Sequence, residues 1–391
     1  MKKKIFIIVW GDPDFYQTIF FLSKYLSEKD YYVYTLRRKS NNLSKLNNNI
    51  DYGKNSKILN LSLGSGFNNF IFNLIDLFYF SIQSLKYFLS INPEKVIFFN
   101  YKSLYIQLFF NLFKKKYNKF IYHNFDFDLQ ENLLSFKDKL NSKLEILLSN
   151  FSDYLIFPSK ERAKVFKKIS KRRDKVFFEF KNCFPLNFKK IKSKNLKLAL
   201  KDKVGKKKII CHLGSIGPSH NLKEIVLAGK YIDKDKIIVI GGFSLEGYAD
   251  YLRQIILKNN LKEKVLLLKN IKDDLWFEIL SHSKIGLCFY EPHNLSHKYM
   301  AGTSQKFNNY LLYRKPMIVS NNKDFKVFKK KFDIFNLINS DNPKKIAYQI
   351  NSLLKNKKRY FKIKKNMDKA FRTNLNFEHQ FLNSYKKILI N

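Results

Sequence analysis

Short apolar runs alternate along the chain with longer stretches in which apolar residues recur at helical spacing. The first run, Ile5–Val9, is followed by a helical pattern over Phe15–Ser27 and by a second run, Tyr32–Leu36. This spacing is typical of a parallel β-sheet, because the helix returns the chain to the start of the next strand. The alternation continues with helices Phe67–Leu89, Leu104–Phe113 and Phe136–Asn150, and strands Lys95–Phe99, Lys119–His123, Tyr154–Phe157 and Phe177–Phe180.

A second series of the same kind begins after a lysine-rich stretch that lacks a strong apolar period. It predicts strands Lys208–Leu213, Lys236–Ile240, Val265–Leu268, Ile285–Phe289 and Met317–Val319, and helices Leu222–Tyr231, Tyr248–Asn259, Asp273–His282 and Ser304–Leu312. We therefore predict two α/β domains, at residues 1–190 and 208–360, joined by a Lys-rich linker at 191–207. Residues 361–391 are predicted to form a C-terminal helical segment that crosses back to the first domain.

The composition agrees with two folded domains. A chain of 391 residues with 45% hydrophobic residues can build two cores, which excludes a disordered protein. The three cysteines are far apart and odd in number, which excludes a disulfide framework or zinc spacing and favours a cytoplasmic location. We predict no transmembrane helix, because no clean apolar stretch reaches about 20 residues. The apolar run Ile5–Trp10 is too short for a secretion signal, so we interpret it as a buried strand.

The formal net charge of +42 has three interpretations. Codon bias in an AT-rich genome explains why lysine outnumbers arginine, but explains less easily why aspartate and glutamate are scarce. Attraction to anionic lipid headgroups is the second interpretation, and binding to nucleic acid or an acidic substrate is the third. The sequence has no RNP-like aromatic strand, zinc spacing or recognition-helix pattern, so we predict no specific nucleic-acid partner.

Ligands of open α/β sheets bind beyond the carboxyl ends of the strands. The loops that matter are therefore those after Val9, His123, Leu213, Ile240 and Phe289. The loop after Val9 begins with Gly11 and Asp12 and is not a G-x-G-x-x-G fingerprint, which argues against an NAD enzyme. We predict that Gly11 lines the acceptor side of the site. Asp12 is either an acceptor-side residue or the start of the turn before Pro13.

Two stretches in the second half carry recognisable motifs. Residues 214–218 read Gly-Ser-Ile-Gly-Pro, and Gly241-Gly242 follows the second strand of this half. Residues 304–311 read Ser-Gln-Lys-Phe-Asn-Asn-Tyr-Leu and lead into Lys-Pro-Met-Ile-Val. These motifs resemble the phosphate-side loop and the K-x-x-E-Y-L-x-x-G-x-P-V-I element of GT-B glycosyltransferases of the bacterial "glycosyltransferase group 1" type. The chain departs from the family at His220, where an arginine is common, and at Asn309, where a glutamate holds the ribose.

The resemblance implies two Rossmann-like domains that face each other across a cleft, with a nucleotide-sugar donor between them. It implies transfer of a sugar from a nucleotide diphospho-sugar to an acceptor hydroxyl, without a metal or another cofactor. The acceptor would be a carbohydrate or a lipid-linked molecule of cell-surface polysaccharide or glycolipid synthesis. Retention of configuration is favoured by family analogy alone.

The donor's diphosphate requires positive charge and backbone amides. Ser304 is placed to cap a helix, so that the amides of Gln305 and Lys306 face an anion, and the Lys306 ammonium adds a full charge. The turn at Gly214 lets the backbone approach phosphate. The predicted donor-binding residues are Gly214, Ser215, His220, Gly241, Ser304, Gln305, Lys306 and Asn309. Ser304 as a simple cap and Lys306 as a solvated lysine are the structural alternatives.

Three further residues are catalytic candidates. Glu291 follows a strand at its carboxyl end and resembles a family glutamate that contacts the donor sugar. His123 and Asp126 end a first-domain strand, and either could act as general base if the reaction inverts configuration. The alternatives are a loop carboxylate, a strand-end histidine bonded to the backbone and a helix cap, respectively.

Apolar residues beside lysines in the first domain suit a membrane headgroup region. The apolar stretch Phe67–Leu89 and the segment Leu108–Phe113, which runs into Lys114–Lys116, have this character. They predict a peripheral position on the inner face of the cell membrane, or else an ordinary core-facing helix with a basic end. Competing functions are a sugar-nucleotide epimerase of similar fold, a basic nucleic-acid-binding protein and a non-catalytic relative.

Overall fold

The computed structural model describes residues 2–11, 17–38, 52–61, 70–127, 135–171, 174, 176–190, 198–245, 247–271 and 273–390. Residue contacts divide the chain into two units. The first unit is Met1–Pro185 together with Phe377–Asn391, and the second is Leu186–Asn376.

Strands and helices alternate in both units. The strands are β1 Lys3–Val9, β2 Tyr31–Arg38, β3 Ser56–Leu61, β4 Lys95–Phe99, β5 Lys119–His123, β6 Tyr154–Phe157, β7 Val176–Glu179, β8 Lys208–Leu213, β9 Lys236–Gly242, β10 Val265–Lys269, β11 Ile285–Cys288, β12 Met317–Ser320 and β13 Phe335–Ile338. The helices are α1 Gln17–Ser27, α2 Phe70–Ile91, α3 Asn100–Asn111, α4 Phe136–Ser149, α5 Lys160–Ser170, α6 Leu198–Val204, α7 Leu222–Ala228, α8 Tyr248–Lys258, α9 Asp273–His282, α10 Leu295–Lys298, α11 Gln305–Leu312, α12 Lys323–Phe332, α13 Pro343–Lys355, α14 Lys357–Thr373, α15 Phe377–Asn383 and α16 Tyr385–Ile390.

The first unit contains a parallel sheet in the order β3-β2-β1-β4-β5-β6-β7. Its central strands are continuous apolar runs, since helices cover both faces of a parallel sheet and leave no solvated side. The strand order reverses between β1 and β4, which places the crevice of this sheet beyond Val9 and Phe99. Helices α15 and α16 pack on this unit, and Phe377 contacts the rings of Phe21 and Phe180.

The second unit repeats this arrangement with six parallel strands in the order β10-β9-β8-β11-β12-β13. The reversal here lies between β8 and β11. These strands pair only through Ile210 with Ile285 and Cys211 with Gly286. The second crevice therefore opens beyond Leu213 and Cys288.

The prediction of two Rossmann-like α/β domains is confirmed by these sheets. The predicted boundaries differ from the observed division. The predicted linker 191–207 includes helix α6, which belongs to the second unit, and the chain rejoins the first unit at Phe377. The predicted returning segment 361–391 therefore includes most of α14, which packs against α11, α12 and α13 of the second unit. Within the described ranges, no helix combines the length and apolarity needed to cross a membrane.

Candidate functional site

The crevice of the second unit is built around the hydroxyl of Tyr310. Past Cys211 the paired strands β8 and β11 no longer bond each other directly. Instead, the Tyr310 hydroxyl accepts a hydrogen bond from the Leu213 amide at 3.0 Å and lies 3.0 Å from the Cys211 carbonyl of β8 and 3.4 Å from the Leu287 carbonyl of β11. Because Tyr310 belongs to α11, these contacts hold α11 beside the carboxyl ends of both strands.

Two glycines bring the loops after β8 and β9 together. The Gly214 amide donates to the Gly241 carbonyl at 3.0 Å. Gly242 has a φ of +148°, and a Cβ there would overlap the carbonyl of Gly214. A Cβ on Gly214 would lie 2.7 Å from Cε of Lys306, so the lysine side chain passes directly beside the bare backbone. Gly241, a predicted donor-binding residue, packs against Leu213 and Ile271.

Lys306 holds a buried positive charge in this crevice. The residue is 6% exposed. Its Nζ lies 3.5 Å from Nε2 of His212 and 4.8 Å from the ring centre of Tyr290. Across the described residues, no carboxylate lies within ion-pair distance of this ammonium. Burial lowers the pKa of Lys306 to about 8, because the charged form has lost its water. A buried cation without a carboxylate suits an anionic ligand.

Ser304 caps α11 as predicted from its residue type. Its Oγ accepts from the Phe307 amide at 3.4 Å and contacts the Tyr290 hydroxyl. The amides of the first turn are therefore held in place with the positive end of the helix dipole behind them. Gln305 in this turn is exposed, and so is Ser215 on the neighbouring loop.

Two histidines line the buried side of the crevice. Nε2 of His212 lies 3.3 Å from the Ser215 carbonyl, and Nδ1 of His220 lies 3.1 Å from the Phe289 carbonyl. Burial, followed by the Lys306 charge, lowers the pKa of His220 to about 2 and that of His212 well below its usual range. Both rings are therefore neutral at pH 7, so Lys306 supplies the positive charge.

Glu291 and Asn221 join the loops that follow β8 and β11. Nδ2 of Asn221 donates to Oε1 of Glu291 at 2.9 Å, and the Glu291 amide donates to the Ser219 carbonyl at 3.1 Å. Oδ1 of Asn221 accepts from the Ser340 hydroxyl at 3.0 Å. Glu291 is exposed. Its carboxylate is thus oriented by an amide while its other oxygen can accept from a ligand.

Asn309 lies one helical turn after Lys306, on the same side of α11. The residue is only 2% exposed, and among the described residues its Oδ1 has no hydrogen-bond partner. A buried amide oxygen without a partner costs free energy unless a ligand or water bonds to it. This orphaned acceptor is the second feature of the crevice that suits a ligand.

His123, a catalytic candidate in the first unit, lies in an apolar environment. His123 is fully buried and contacts the rings of Phe99, Phe125 and Phe180. Its Nδ1 lies 2.7 Å from the Tyr385 hydroxyl, and burial lowers the pKa of His123 to about 3. These contacts give His123 a place in the core.

Asp126 is largely exposed, and its carboxylate lies 3.8 Å from Nη1 of Arg162. Gly11 is half-buried with a φ of +147° and has open space where a Cβ would stand. Asp12 lies outside the described residues. The structure therefore brings the donor-side candidates together in the second unit, whereas Asp126 and Gly11 belong to the first.

His212 and Tyr290 were not predicted as site residues from the sequence, whereas Asn221 follows the family-like loop at 214–218 but was given no role of its own. His212 is the next-to-last residue of β8, in a continuous buried run, where strand alternation gives no indication of a polar site. Asn221 immediately precedes α7 with a φ of +50°, a conformation that asparagine adopts more easily than most residues. The sequence signal available for the turn at Asn221 was its position two residues after the Pro218-Ser219 pair.

Comparison with solved structures identifies the fold. The chain is similar to HepE of Anabaena in complex with UDP-glucose, with a TM-score of 0.74 and 13% identity over 99% of this chain and 100% of the other. It is also similar to sucrose-phosphate synthase of Thermosynechococcus elongatus, with a TM-score of 0.71 and 13% identity over 99% of both chains. The chain has the GT-B fold.

The GT-B fold does not by itself decide the reaction. A putative UDP-N-acetylglucosamine 2-epimerase of Listeria monocytogenes has a TM-score of 0.64 and 12% identity over 100% of this chain and 96% of the other. No protein-family model and no curated protein matches the sequence. The reaction of this GT-B chain therefore depends on the residues of its site.

Proposed function

We propose that this GT-B chain is a glycosyltransferase that moves a sugar from a nucleotide diphospho-sugar to an acceptor hydroxyl. The observation that carries the proposal is the buried Lys306 ammonium, which has no carboxylate partner in the described parts of the chain and lies beside the glycine loop after β8. HepE, a structural neighbour, was solved with UDP-glucose. The uncompensated charge and this neighbour together favour a phosphate-bearing donor.

The donor would bind with its diphosphate at the start of α11. The Lys306 ammonium and the first-turn amides would bond the phosphate oxygens, and Gly214 would allow them to approach the backbone. Asn309 would bond a ribose hydroxyl through its orphaned Oδ1. His220, which replaces the family's arginine, would contribute a neutral ring, so the site depends on Lys306 more strongly than an arginine-containing site would.

Transfer breaks the bond between the sugar C1 and the phosphate oxygen and forms a bond from C1 to the acceptor oxygen. Negative charge develops on the departing diphosphate, where Lys306 and the helix dipole stabilise it without a metal. Glu291 would accept hydrogen bonds from the donor sugar. In a retaining reaction, the departing phosphate itself takes the acceptor proton. In an inverting reaction, Asp126 is better placed than the buried His123 to act as base, because its carboxylate is exposed.

Binding of nucleotides to Lys306 variants tests the proposal. Thermal-shift screening against UDP, GDP, CMP and their sugars identifies the donor, since a ligand at 100 times its Kd stabilises the folded state by about 2.7 kcal/mol. Lys306→Ala should then weaken donor binding and slow transfer by about tenfold to hundredfold, because a charge-assisted hydrogen bond is lost. Lys330→Ala, at an exposed lysine of α12, is the matched control. Unchanged kinetics in Lys306→Ala would refute the assignment.

The epimerase neighbour supports one alternative reaction. An epimerase converts the sugar nucleotide without any acceptor, whereas a transferase leaves the donor intact until an acceptor is added. Incubation of the identified donor alone, followed by separation of sugar-nucleotide isomers, distinguishes the two. An isomerised donor would replace the transferase proposal with the epimerase.

We also propose that the chain is cytoplasmic and peripheral on the inner face of the cell membrane, with a carbohydrate or lipid-linked acceptor of cell-surface polysaccharide or glycolipid synthesis. Helices α2 and α3 of the first unit pack together and expose apolar side chains. Phe78 is 57% exposed and Leu112 is 80% exposed. Phe113 leads directly into Lys114–Lys116. Apolar side chains beside ammonium groups match the headgroup boundary of an anionic bilayer.

Vesicle binding tests this surface. The chain should sediment with vesicles containing phosphatidylglycerol at low salt and dissociate at high salt. Leu112→Ser/Phe113→Ser should release it, while Tyr348→Ser/Phe361→Ser removes two exposed aromatic residues of the second unit and should not. Binding that is equal in both double variants, or absent at every ionic strength, would contradict a membrane role. Concentration-dependent dimers abolished by the first variant would instead assign the surface to a second copy of the chain.

A further inference from the structure

A second basic site lies at the opposite end of the first sheet from its crevice. A pocket of about 620 Å³ opens at the amino ends of β1, β4 and β5. The charged residues lining it are Lys2, Lys3, Lys4, Lys95, Lys119 and Glu94. Its volume is in the range of small-molecule sites. Five lysines therefore face one cavity that contains a single carboxylate.

Strand register concentrates the charge. Lys95 on β4 is the direct partner of Lys119 on β5 and of Ile5 on β1. Lys3 is two residues before Ile5, so its side chain leaves the same face of the sheet. Neighbouring strands are about 4.8 Å apart, and like charges directly opposite each other are destabilising. The fold thus holds these ammonium groups together at a cost.

Lys95 is buried at this end of the sheet without a directly bonded partner among the described residues. The residue is 7% exposed, and none of the described residues offers its ammonium a hydrogen bond or an ion pair. Burial and the Lys119 charge lower the pKa of Lys95, and the more distant carboxylates of Glu94 and Asp153 offset this only in part. The Lys3 ammonium lies 3.8 Å from Glu94, and Lys4 donates to the Ile91 carbonyl at 3.1 Å. The single carboxylate and the nearby carbonyl thus serve other lysines.

The second sheet provides an internal comparison. Lys236 stands at the amino end of β9 and is also buried, but its Nζ lies 2.7 Å from both Asp233 and Asp235. The chain therefore neutralises a strand-end lysine with aspartates in one sheet and leaves Lys95 without them in the other. An external anion would supply the missing partner.

We propose that this pocket binds a small, multiply charged phosphate compound, either a pyrophosphate or a phosphate monoester. Lys95 and Lys119 would bond the phosphate oxygens from the sheet, and Lys3 from its edge. The uncharged lining residues are Asn92, Tyr117, Leu389 and Ile390, of which the last three would contact an organic portion of the ligand. The site belongs to the first unit alone and is independent of the proposed donor site on α11.

Calorimetric titration with inorganic pyrophosphate at about 0.15 M salt tests the proposal, since this ionic strength screens weak surface attraction. Lys95→Gln/Lys119→Gln should weaken pyrophosphate binding by about tenfold or more. The matched control, Lys326→Gln/Lys330→Gln, removes two exposed charges from α12 and should change the Kd less than about twofold. Equal loss, or no loss, in the two variants would overturn the proposal.

Two further measurements separate this site from the donor site and from simple misfolding. Pyrophosphate binding to the pocket should persist in Lys306→Gln and with saturating UDP, whereas complete displacement by UDP would place the anion at α11 and overturn the proposal. Without pyrophosphate, Lys95→Gln/Lys119→Gln should melt at or above the wild-type temperature, because two like charges that face each other across β4 and β5 are removed. Sedimentation with vesicles containing phosphatidylglycerol tests whether the phosphate belongs to a lipid headgroup. Vesicle binding that is lost in Lys95→Gln/Lys119→Gln but kept in Lys326→Gln/Lys330→Gln would identify a lipid headgroup as the source of the phosphate.

Discussion

The Lys306 ammonium lies 3.5 Å from Nε2 of His212, and both side chains are buried at the carboxyl end of β8. A neutral imidazole is a weaker partner for a buried cation than a carboxylate. The arrangement therefore leaves positive charge available at the glycine loop, at the expense of stability without a ligand. Stability and ligand binding should respond to changes at Lys306 in opposite directions.

Lys306→Met should stabilise the unliganded protein by about 1–3 kcal/mol at pH 7, because it replaces an uncompensated buried charge by an apolar side chain of similar length. The folded pKa of about 8 is below the ordinary 10.5, so the unfolded chain holds more protons between these values. The group's contribution to stability therefore rises with pH across this window. The gain from Lys306→Met should be largest below pH 8 and vanish near pH 10.5. Urea unfolding at several pH values measures it, and Lys330→Met should show no such trend.

UDP, the nucleotide bound in a HepE structure, serves as the probe of the proposed donor site and should show the complementary pH dependence. At this proposed site only the protonated Lys306 would attract the diphosphate, so raising the pH above about 8 would remove a required proton from the free protein. The Kd for UDP should increase by about tenfold between pH 8 and pH 9.5 in the wild type. In Lys306→Met the Kd for UDP should be higher than in the wild type and should change little with pH over this range. A parallel pH profile in both proteins would show that another group governs binding.

Sequence patterns located the central strands and α11 because these elements have strong local signals. The apolar runs of β1, β4, β8 and β9 are buried on both faces, and Ser304 is a cap by residue type. The edge strand β3, Ser56–Leu61, and the edge strand β13, Phe335–Ile338, were missed because their mixed polar residues resemble loops.

The burial of His123 could not be predicted from its neighbours in sequence. It depends on Tyr385, which is far away along the chain and reaches β5 only because α16 packs on the first unit. The pairing of Asn221 with Glu291 likewise joins two loops that are distant in sequence. Such contacts depend on the order of the strands in the sheet, which cannot be deduced from the local pattern of apolar residues.

Asn309→Leu should separate stability from ribose recognition. The orphaned Oδ1 of Asn309 is buried, so an apolar side chain of similar shape should raise the unfolding free energy by about 1 kcal/mol. The same change should weaken UDP binding by about tenfold while leaving 2′,3′-dideoxy-UDP unaffected, because only UDP offers the ribose hydroxyls. Equal losses for both nucleotides would place Asn309 away from the ribose.

Gly242→Ala should damage the anion loop, because its Cβ would overlap the Gly214 carbonyl and its φ of +148° is unfavourable for alanine. We expect a loss of about 3 kcal/mol or more in unfolding free energy together with loss of UDP binding. Gly205→Ala is the matched control. Gly205 also has a positive φ, +58°, but open space around its Cβ, so a loss of about 1 kcal/mol is expected there. Similar losses of unfolding free energy in Gly242→Ala and Gly205→Ala would show that the backbone strain of a positive φ, and not the close contact with Gly214, causes the destabilisation.

The hydrogen bond of 2.7 Å between His123 and Tyr385 should stabilise the first unit. Tyr385→Phe leaves Nδ1 of His123 without its partner and should cost about 1–3 kcal/mol of stability. His123→Leu should also destabilise the protein, and the double variant should cost less than the sum of the two by about 1 kcal/mol. Because His123 is enclosed by aromatic rings, His123→Asn should reduce stability with little change in turnover, whereas Asp126→Asn should leave stability nearly unchanged. A turnover loss of about a hundredfold in a folded His123→Asn protein would instead assign the general base to His123.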